Sequence, residues 1–174
     1  MQKSALEYPD ASGCANGTSM ARARQGPQGR TLGLDLGGAR CGLAIDDDLG
    51  RMAHPRPNLP ARDERALIAA LVKIAREEGA MRMVLGLPLE MSGVEGRSAQ
   101  RVRAFAQKVA DAAGVEVVLW DERLSTVQAA RALHDAGLDA RAQKAVIDAA
   151  SAVAILQSWL DARKAVRART RGGH

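Results

Sequence analysis

The stretch TLGLDLGGARCGLAI, residues 31–45, holds two short apolar runs joined by a glycine-rich turn. Thr31–Asp35 and Cys41–Ile45 have the length and composition of β-strands, and a short connection with two glycines is typical of a hairpin. The pattern therefore predicts two antiparallel strands. Asp35 ends the first run, so a carboxylate directly follows a segment that a protein core would bury.

The next part of the chain predicts one more strand and then a helix. A third strand is expected within residues 51–59, where Pro55 and Pro57 would either place it at the edge of the sheet or shorten it. After Pro60 the apolar residues recur at helical spacing, and Gly79 is the expected C-cap.

Two continuous apolar runs further along, Met83–Leu87 and residues 115–120, predict buried strands. A helix ending near Gly114 separates them, a helix from Ser125 through His134 follows, and a last helix is expected over residues 141–160. The order β-β-β-α-β-α-β-α-α predicts an α/β layer fold with a mixed sheet.

The chain has 174 residues and a formal net charge of +5, which is the size of about one domain. Residues 31–161 hold 16 basic and 18 acidic residues, so the positive excess lies in the two ends. We therefore expect a flexible N-terminal tail over residues 1–30, one domain over 31–161 and a basic C-terminal tail over 162–174.

The sequence predicts a cytoplasmic protein that is not inserted in a membrane. No apolar stretch approaches the roughly 18 residues that a membrane-spanning helix needs, and the first thirty residues lack the apolar run of a secretory signal. The two cysteines, Cys14 and Cys41, have neither a zinc-binding nor a disulfide-rich spacing, which favours reduced thiols.

Three carboxylates stand in apolar surroundings. Asp35 and Glu122 each end an apolar run, and Asp148 interrupts the last predicted helix. Burying one carboxylate raises its pKa and clustering three raises it further, so divalent cations such as Mg²⁺ or Mn²⁺ are the expected compensation. Two such ions can activate a water and stabilise the leaving oxygen in phosphodiester cleavage.

Each acid also has a simpler interpretation. Asp35 could hydrogen-bond the backbone of its own turn, and Glu122 could form a surface ion pair with Arg123. Asp148 could pair with Lys144 one helical turn earlier. Spacing in the sequence makes convergence of the three acids plausible without proving it.

Several basic residues are candidate contacts for the phosphates of a nucleic acid. Those close to the predicted helix start could equally form a solvated face. The chain has only four aromatic residues, so contact with the sugar–phosphate backbone is favoured over stacking on bases. The candidates are Arg40, Arg97, Arg101, Arg123 and Lys144.

Four blocks of the sequence, in order, resemble those of the YqgF family, described as Holliday junction resolvases and as pre-16S rRNA processing nucleases. They are GLDLGGARCGLA (33–44), GLPLEMSG (86–93), DERLST (121–126) and KAVIDAASA (144–152). The resemblance implies a ribonuclease-H-like fold, an α/β architecture with a five-stranded mixed sheet flanked by helices. It also implies that Asp35, Glu122 and Asp148 are the metal-binding catalytic acids.

The resemblance thus favours a metal-dependent nuclease that processes the 5′ end of pre-16S rRNA, with ribosomal particles as further partners. A resolvase for branched DNA and a non-catalytic nucleic-acid-binding or ribosome-binding module are the alternatives. Phosphotransfer of the sugar-kinase type would need a second domain of this kind, which the length does not provide. We expect a monomer or a homodimer.

Overall fold

The structure is a computed structural model, and it describes residues 29–89, 96–124 and 140–171. In residues 140–149, 170 and 171 it describes the backbone alone. The expected N-terminal tail, apart from its last two residues, and the expected helix from Ser125 through His134 lie outside the described residues.

Five strands form one mixed sheet, as the sequence predicts, and their order in the sheet is β3-β2-β1-β4-β5. The first three strands along the chain pair antiparallel, whereas β4 and β5 lie parallel to β1. The prolines of β3 place it at the edge, since a proline has no N–H to donate to a second neighbour. The strands are β1 (Arg30–Leu36), β2 (Arg40–Asp46), β3 (Ala53–Pro60), β4 (Ala80–Leu87) and β5 (Glu116–Asp121).

Three α-helices and one turn of 3₁₀ helix complete the described chain. They are α1 (Glu64–Glu78), α2 (Arg97–Ala113), the 3₁₀ turn Glu122–Leu124 and α3 (Ala140–Arg171). The Asp63 carboxylate caps α1 by accepting hydrogen bonds from two backbone N–H groups. Gly79 and Gly114 end α1 and α2 in the left-handed conformation, as glycine does at no steric cost.

The two faces of the sheet carry side chains of different size. Large apolar side chains such as Leu32, Leu34 and Leu85 pack against α1 and α2. On the opposite face, glycine, alanine and valine residues of β1, β2 and β4 let α3 approach closely. Helix α3 therefore lies against the sheet on a side where little side-chain volume separates the two.

Helix α3 continues eleven residues beyond Leu160, where the sequence pattern predicts its end. Most of the C-terminal segment expected as a tail is therefore helical. Alanine and arginine, which dominate residues 162–171, are strong helix formers, and cations stabilise the negative end of a helix dipole. The periodicity of apolar residues ends near Leu160 because contact with the sheet ends there.

Over the ranges that the structure describes, no helix is both long enough and apolar enough to cross a membrane.

We predict that Gly33→Ala destabilises the fold by about 1–3 kcal/mol. A Cβ atom at Gly33 would lie 2.6 Å from Cβ of Leu156 and 2.9 Å from the carbonyl oxygen of Ala152, and neither atom is a movable side-chain end. Gly38→Ala is the matched control, because a Cβ atom there meets nothing within 4 Å. Urea unfolding measures both; equal midpoints for the two variants would contradict close packing of α3.

Candidate active site

Two of the three candidate acids lie at the same edge of the sheet. Asp35 is the second-last residue of β1, and Glu122 directly follows β5. Strands β1, β4 and β5 are parallel and adjacent, so their carboxyl ends form one edge. This is where open α/β sheets place their ligand sites.

Asp35 and Glu122 also share the face of the sheet that α3 covers. Asp35 is two residues after Gly33, which faces α3, and side chains alternate along a strand. A Cβ atom at Gly86 of β4 would lie 2.7 Å from Oε1 of Glu122 and 2.6 Å from Cδ1 of Ile155. The Glu122 side chain thus extends from β5 over Gly86, in the direction of β1.

The third acid, Asp148, lies on α3, and the structure describes only its backbone. It is four residues before Ala152, whose carbonyl oxygen approaches Gly33. Four helical residues rise about 6 Å, which is close to the length of two strand residues. The backbone of α3 thus brings position 148 to about the level of Asp35 along β1.

No group of three potential metal ligands occurs among the described side chains. The structure places Asp35 and Glu122 at the carboxyl edge of the sheet, on the face that α3 covers. It places the backbone of Asp148 at about the same height along β1. Asp35 and Glu122 are both half-buried, so each side chain is partly shielded from solvent.

Arg123 is held by Asp121, the last residue of β5. Its guanidinium donates to the carboxylate at 2.7 Å and 3.0 Å, and its backbone N–H donates to the same group at 2.9 Å. These bonds lower the pKa of Asp121 and raise the pKa of Arg123. A phosphate that reaches Arg123 therefore competes with this carboxylate.

The other candidate phosphate contacts occupy different positions. Arg40 begins β2 at the same edge and is half-buried, and its carbonyl oxygen accepts the Gly37 N–H at 3.0 Å. Arg97 and Arg101 are exposed in the first two turns of α2, near this edge but on the other face of the sheet. The side chain of Lys144 lies outside the described residues.

Two residues that support the site, Ser158 and Gly86, could not be assigned to it from the sequence. Ser158 of α3 accepts a hydrogen bond from Nε1 of Trp120 at 3.1 Å and donates one to the Leu124 carbonyl at 2.9 Å. It thereby ties the turn that contains Glu122 to α3. Gly86 had the better signal, since a glycine inside an apolar strand often marks close approach by another group.

Comparison with known proteins identifies a family and a fold. A family model with the description "RuvX: Holliday junction resolvase" matches residues 29–162. A protein of Anaeromyxobacter sp. (strain Fw109-5) named "Putative pre-16S rRNA nuclease" is 48% identical over 136 residues, which cover 78% of this chain and 99% of that protein. A protein of Myxococcus xanthus (strain DK1622) with the same name is 45% identical and is covered to 89%.

Among solved structures, RuvC of T. thermophilus in complex with a Holliday junction substrate matches with a TM-score of 0.53 at 13% identity. The match covers 79% of this chain and 97% of that one. At this identity the likeness shows the fold alone, and it confirms the ribonuclease-H-like architecture.

We predict that Arg123→Gln raises the pKa of Asp121 towards its ordinary value, because the guanidinium is the main cause of the lowered pKa. A lowered pKa stabilises the folded state above the unfolded-state pKa, and the effect is lost as the pH falls through the folded-state pKa. The variant should therefore be less stable than the wild type at pH 7, and the gap should close in acid. NMR titration of the Asp121 carboxyl carbon measures the shift, with Arg101→Gln as control; an unchanged Asp121 pKa contradicts the pairing.

We also predict that Gly86→Ala costs about 1–3 kcal/mol of folding free energy, because the new methyl group meets both Ile155 and Glu122. Ile155→Val removes the Cδ1 atom and so relieves one of the two contacts. The double variant should therefore be more stable than the sum of the single effects indicates. Urea unfolding of the four proteins in this cycle measures the coupling, and strict additivity would contradict the packing around Gly86.

Proposed function

The chain belongs to the RuvX family of Holliday junction resolvases, and we propose that it is a metal-dependent nuclease that hydrolyses phosphodiester bonds in structured nucleic acid. The observation that carries the proposal is the convergence of Asp35 and Glu122 at the carboxyl edge of the sheet, on the face that α3 covers. The absent side chain of Gly86 supports it, because a Cβ atom there would take the space that the Glu122 carboxylate occupies.

The donor set fits a hard divalent cation. Asp35 and Glu122 offer carboxylate oxygens, the ligands that Mg²⁺ and Mn²⁺ prefer, and Asp148 would add a third carboxylate from α3. Bound at these acids, a pair of such ions would supply an activated water and charge stabilisation at the leaving oxygen.

The three acids would have different parts in holding the ions. Asp35 lies on the central strand, between β2 and β4, so it is the residue that we assign to both ions. Glu122 and Asp148 reach the edge from β5 and from α3, and each would complete one site.

The chain itself supplies orientation and substrate binding. Ser158 holds the turn of Glu122 against α3, which fixes the direction from which that carboxylate enters the site. Arg40, at the same edge, is the residue that we assign to a non-bridging phosphate oxygen. Contact of this kind with the backbone suits a chain poor in aromatic residues.

For the substrate we favour the 5′ end of pre-16S rRNA, cleaved in the cytoplasm during ribosome biogenesis. The relatives at 45–48% identity carry pre-16S rRNA in their names, whereas the RuvC structure bound to a Holliday junction is only 13% identical. Branched DNA is the second candidate, supported by the description of the family model.

We predict that Asp35→Asn, Glu122→Gln and Asp148→Asn each lower kcat by about 100-fold or more, because each removes a carboxylate that would hold the metal ions, and those ions would stabilise the developing negative charge. Asp111→Asn is the matched control, since Asp111 is an exposed acid near the far end of α2. Cleavage of a precursor 16S fragment and of a four-way DNA junction, with Mg²⁺ or Mn²⁺, is the assay. Calorimetric titration with Mn²⁺ gives a readout that does not depend on turnover.

Loss of cleavage and of Mn²⁺ binding in the three site variants, with both retained in Asp111→Asn, is the expected result. Full activity in Asp35→Asn would overturn the site assignment. Tight binding of nucleic acid that survives in all three variants, without cleavage by the wild type, would instead identify a non-catalytic binding module.

A further inference from the structure

The C-terminal part of α3 extends beyond the body of the protein as a charged helix. Among the side chains that the structure describes, Trp159 and Leu160 are the last buried ones of the helix, and all residues from Lys164 to Arg169 are exposed. Residues 163–171, here named the basic arm, contain five basic and no acidic residues. The family model ends at residue 162, so the arm lies outside the matched region.

The arm leaves the body at the edge of the sheet opposite to the candidate active site. Arg163 lies 5.1 Å from the centre of the Trp159 ring, and Arg82 lies 5.2 Å from the same ring. Arg82 also binds Glu116 at the start of β5, at 2.6 Å. The base of the arm is therefore at the amino ends of β4 and β5, whereas Glu122 follows the carboxyl end of β5.

The length of the secondary structure gives the separation of the two regions. The five-residue step from Arg30 to Asp35 spans about 16 Å of strand, and the eight-residue step from Arg163 to Arg171 adds about 12 Å of helix. The exposed cations of the arm thus lie roughly 20–30 Å from Asp35. At about 3.4 Å per nucleotide of a duplex strand, this corresponds to about six to nine nucleotides.

Arg163, at the base of the arm, lies close to other cations as well as to acids. Burial and the nearby cations Arg167 and Arg82 lower the pKa of Arg163, while the acids Asp46 and Glu116 act in the opposite direction. A polyanion placed along the arm would relieve this repulsion. Val166 is the only apolar side chain larger than alanine among residues 164–169, so the arm lacks the apolar face that a membrane-surface helix needs.

We propose that the basic arm is a second binding surface for the substrate, which contacts nucleic-acid phosphates about six to nine nucleotides from the cleavage site. The proposal rests on the nuclease function proposed above. It assigns Lys164, Arg167 and Arg169 to substrate affinity, not to catalysis. The arm would make binding depend on substrate length. Only a substrate long enough to reach from the candidate active site to the opposite edge of the sheet can contact both the site and the arm.

The test compares the variant K164Q/R167Q/R169Q with the wild type on duplex substrates that extend either about five or about twenty base pairs from the cut. Glutamine keeps helix propensity, and circular dichroism checks that the helix is retained. The matched control is R62Q/R65Q/K73Q, which removes the same charge from exposed positions at and near α1, on the other face of the sheet.

On the long substrate the arm variant should raise KM about 10-fold or more and leave kcat unchanged. On the short substrate both constants should stay at the wild-type values. The slope of log affinity against log salt should fall by up to about three for the long substrate, since each lost phosphate contact removes about 0.9. The control variant should change none of these differences between long and short substrates.

An unchanged KM on the long substrate, or an equal effect of the control variant, would overturn the proposal. If the wild type cleaves neither substrate, the nuclease function fails, and fluorescence anisotropy with the same two duplexes still tests the arm. In that case the second surface is supported if the wild type binds the long duplex more tightly than the short one and the arm variant does not. Equal affinities of wild type and arm variant for the long duplex contradict it.

Discussion

Close contact between α3 and the sheet is the constraint on which the rest of the structure depends. At Gly33 a side chain would occupy the space of Leu156 and of the Ala152 carbonyl, and at Gly86 that of Ile155. Without these two glycines α3 would have to move away from the sheet. Most of the large apolar side chains of the sheet lie on the opposite face, where α1 and α2 pack in the usual way.

The same constraint also creates the candidate site. Gly86 makes room for Ile155 and for the Glu122 carboxylate at once, so one missing side chain serves both packing and chemistry. Because α3 lies close, its backbone carries position 148 to the level of Asp35, and Ser158 can tie down the turn of Glu122. The carboxylates of the candidate site and the basic arm then lie at opposite ends of α3. The negative charge that would bind metal ions is thereby separated from the positive charge that would bind phosphates.

Most of the fold and part of the site could be predicted from the sequence, because those features depend on local pattern. The prolines of β3 predict its edge position, and Gly79 and Gly114 predict two helix ends. The sequence also identifies Asp35 and Glu122 as candidate site residues, because each is an acid at the end of an apolar run. The bonds between Arg123 and Asp121 and the double contact of Ser158 escape sequence analysis, because they depend on directions in space. The predicted end of α3 near Leu160 is wrong, because the apolar periodicity follows contact with the sheet and not the length of the helix.

The most direct test of the central claim is anomalous diffraction from a crystal of the protein soaked in Mn²⁺. We expect anomalous peaks at the carboxyl edge of the sheet, within bonding distance of both the Asp35 and the Glu122 carboxylates. A well-ordered crystal with Mn²⁺ bound elsewhere and no peak between these two side chains would contradict it.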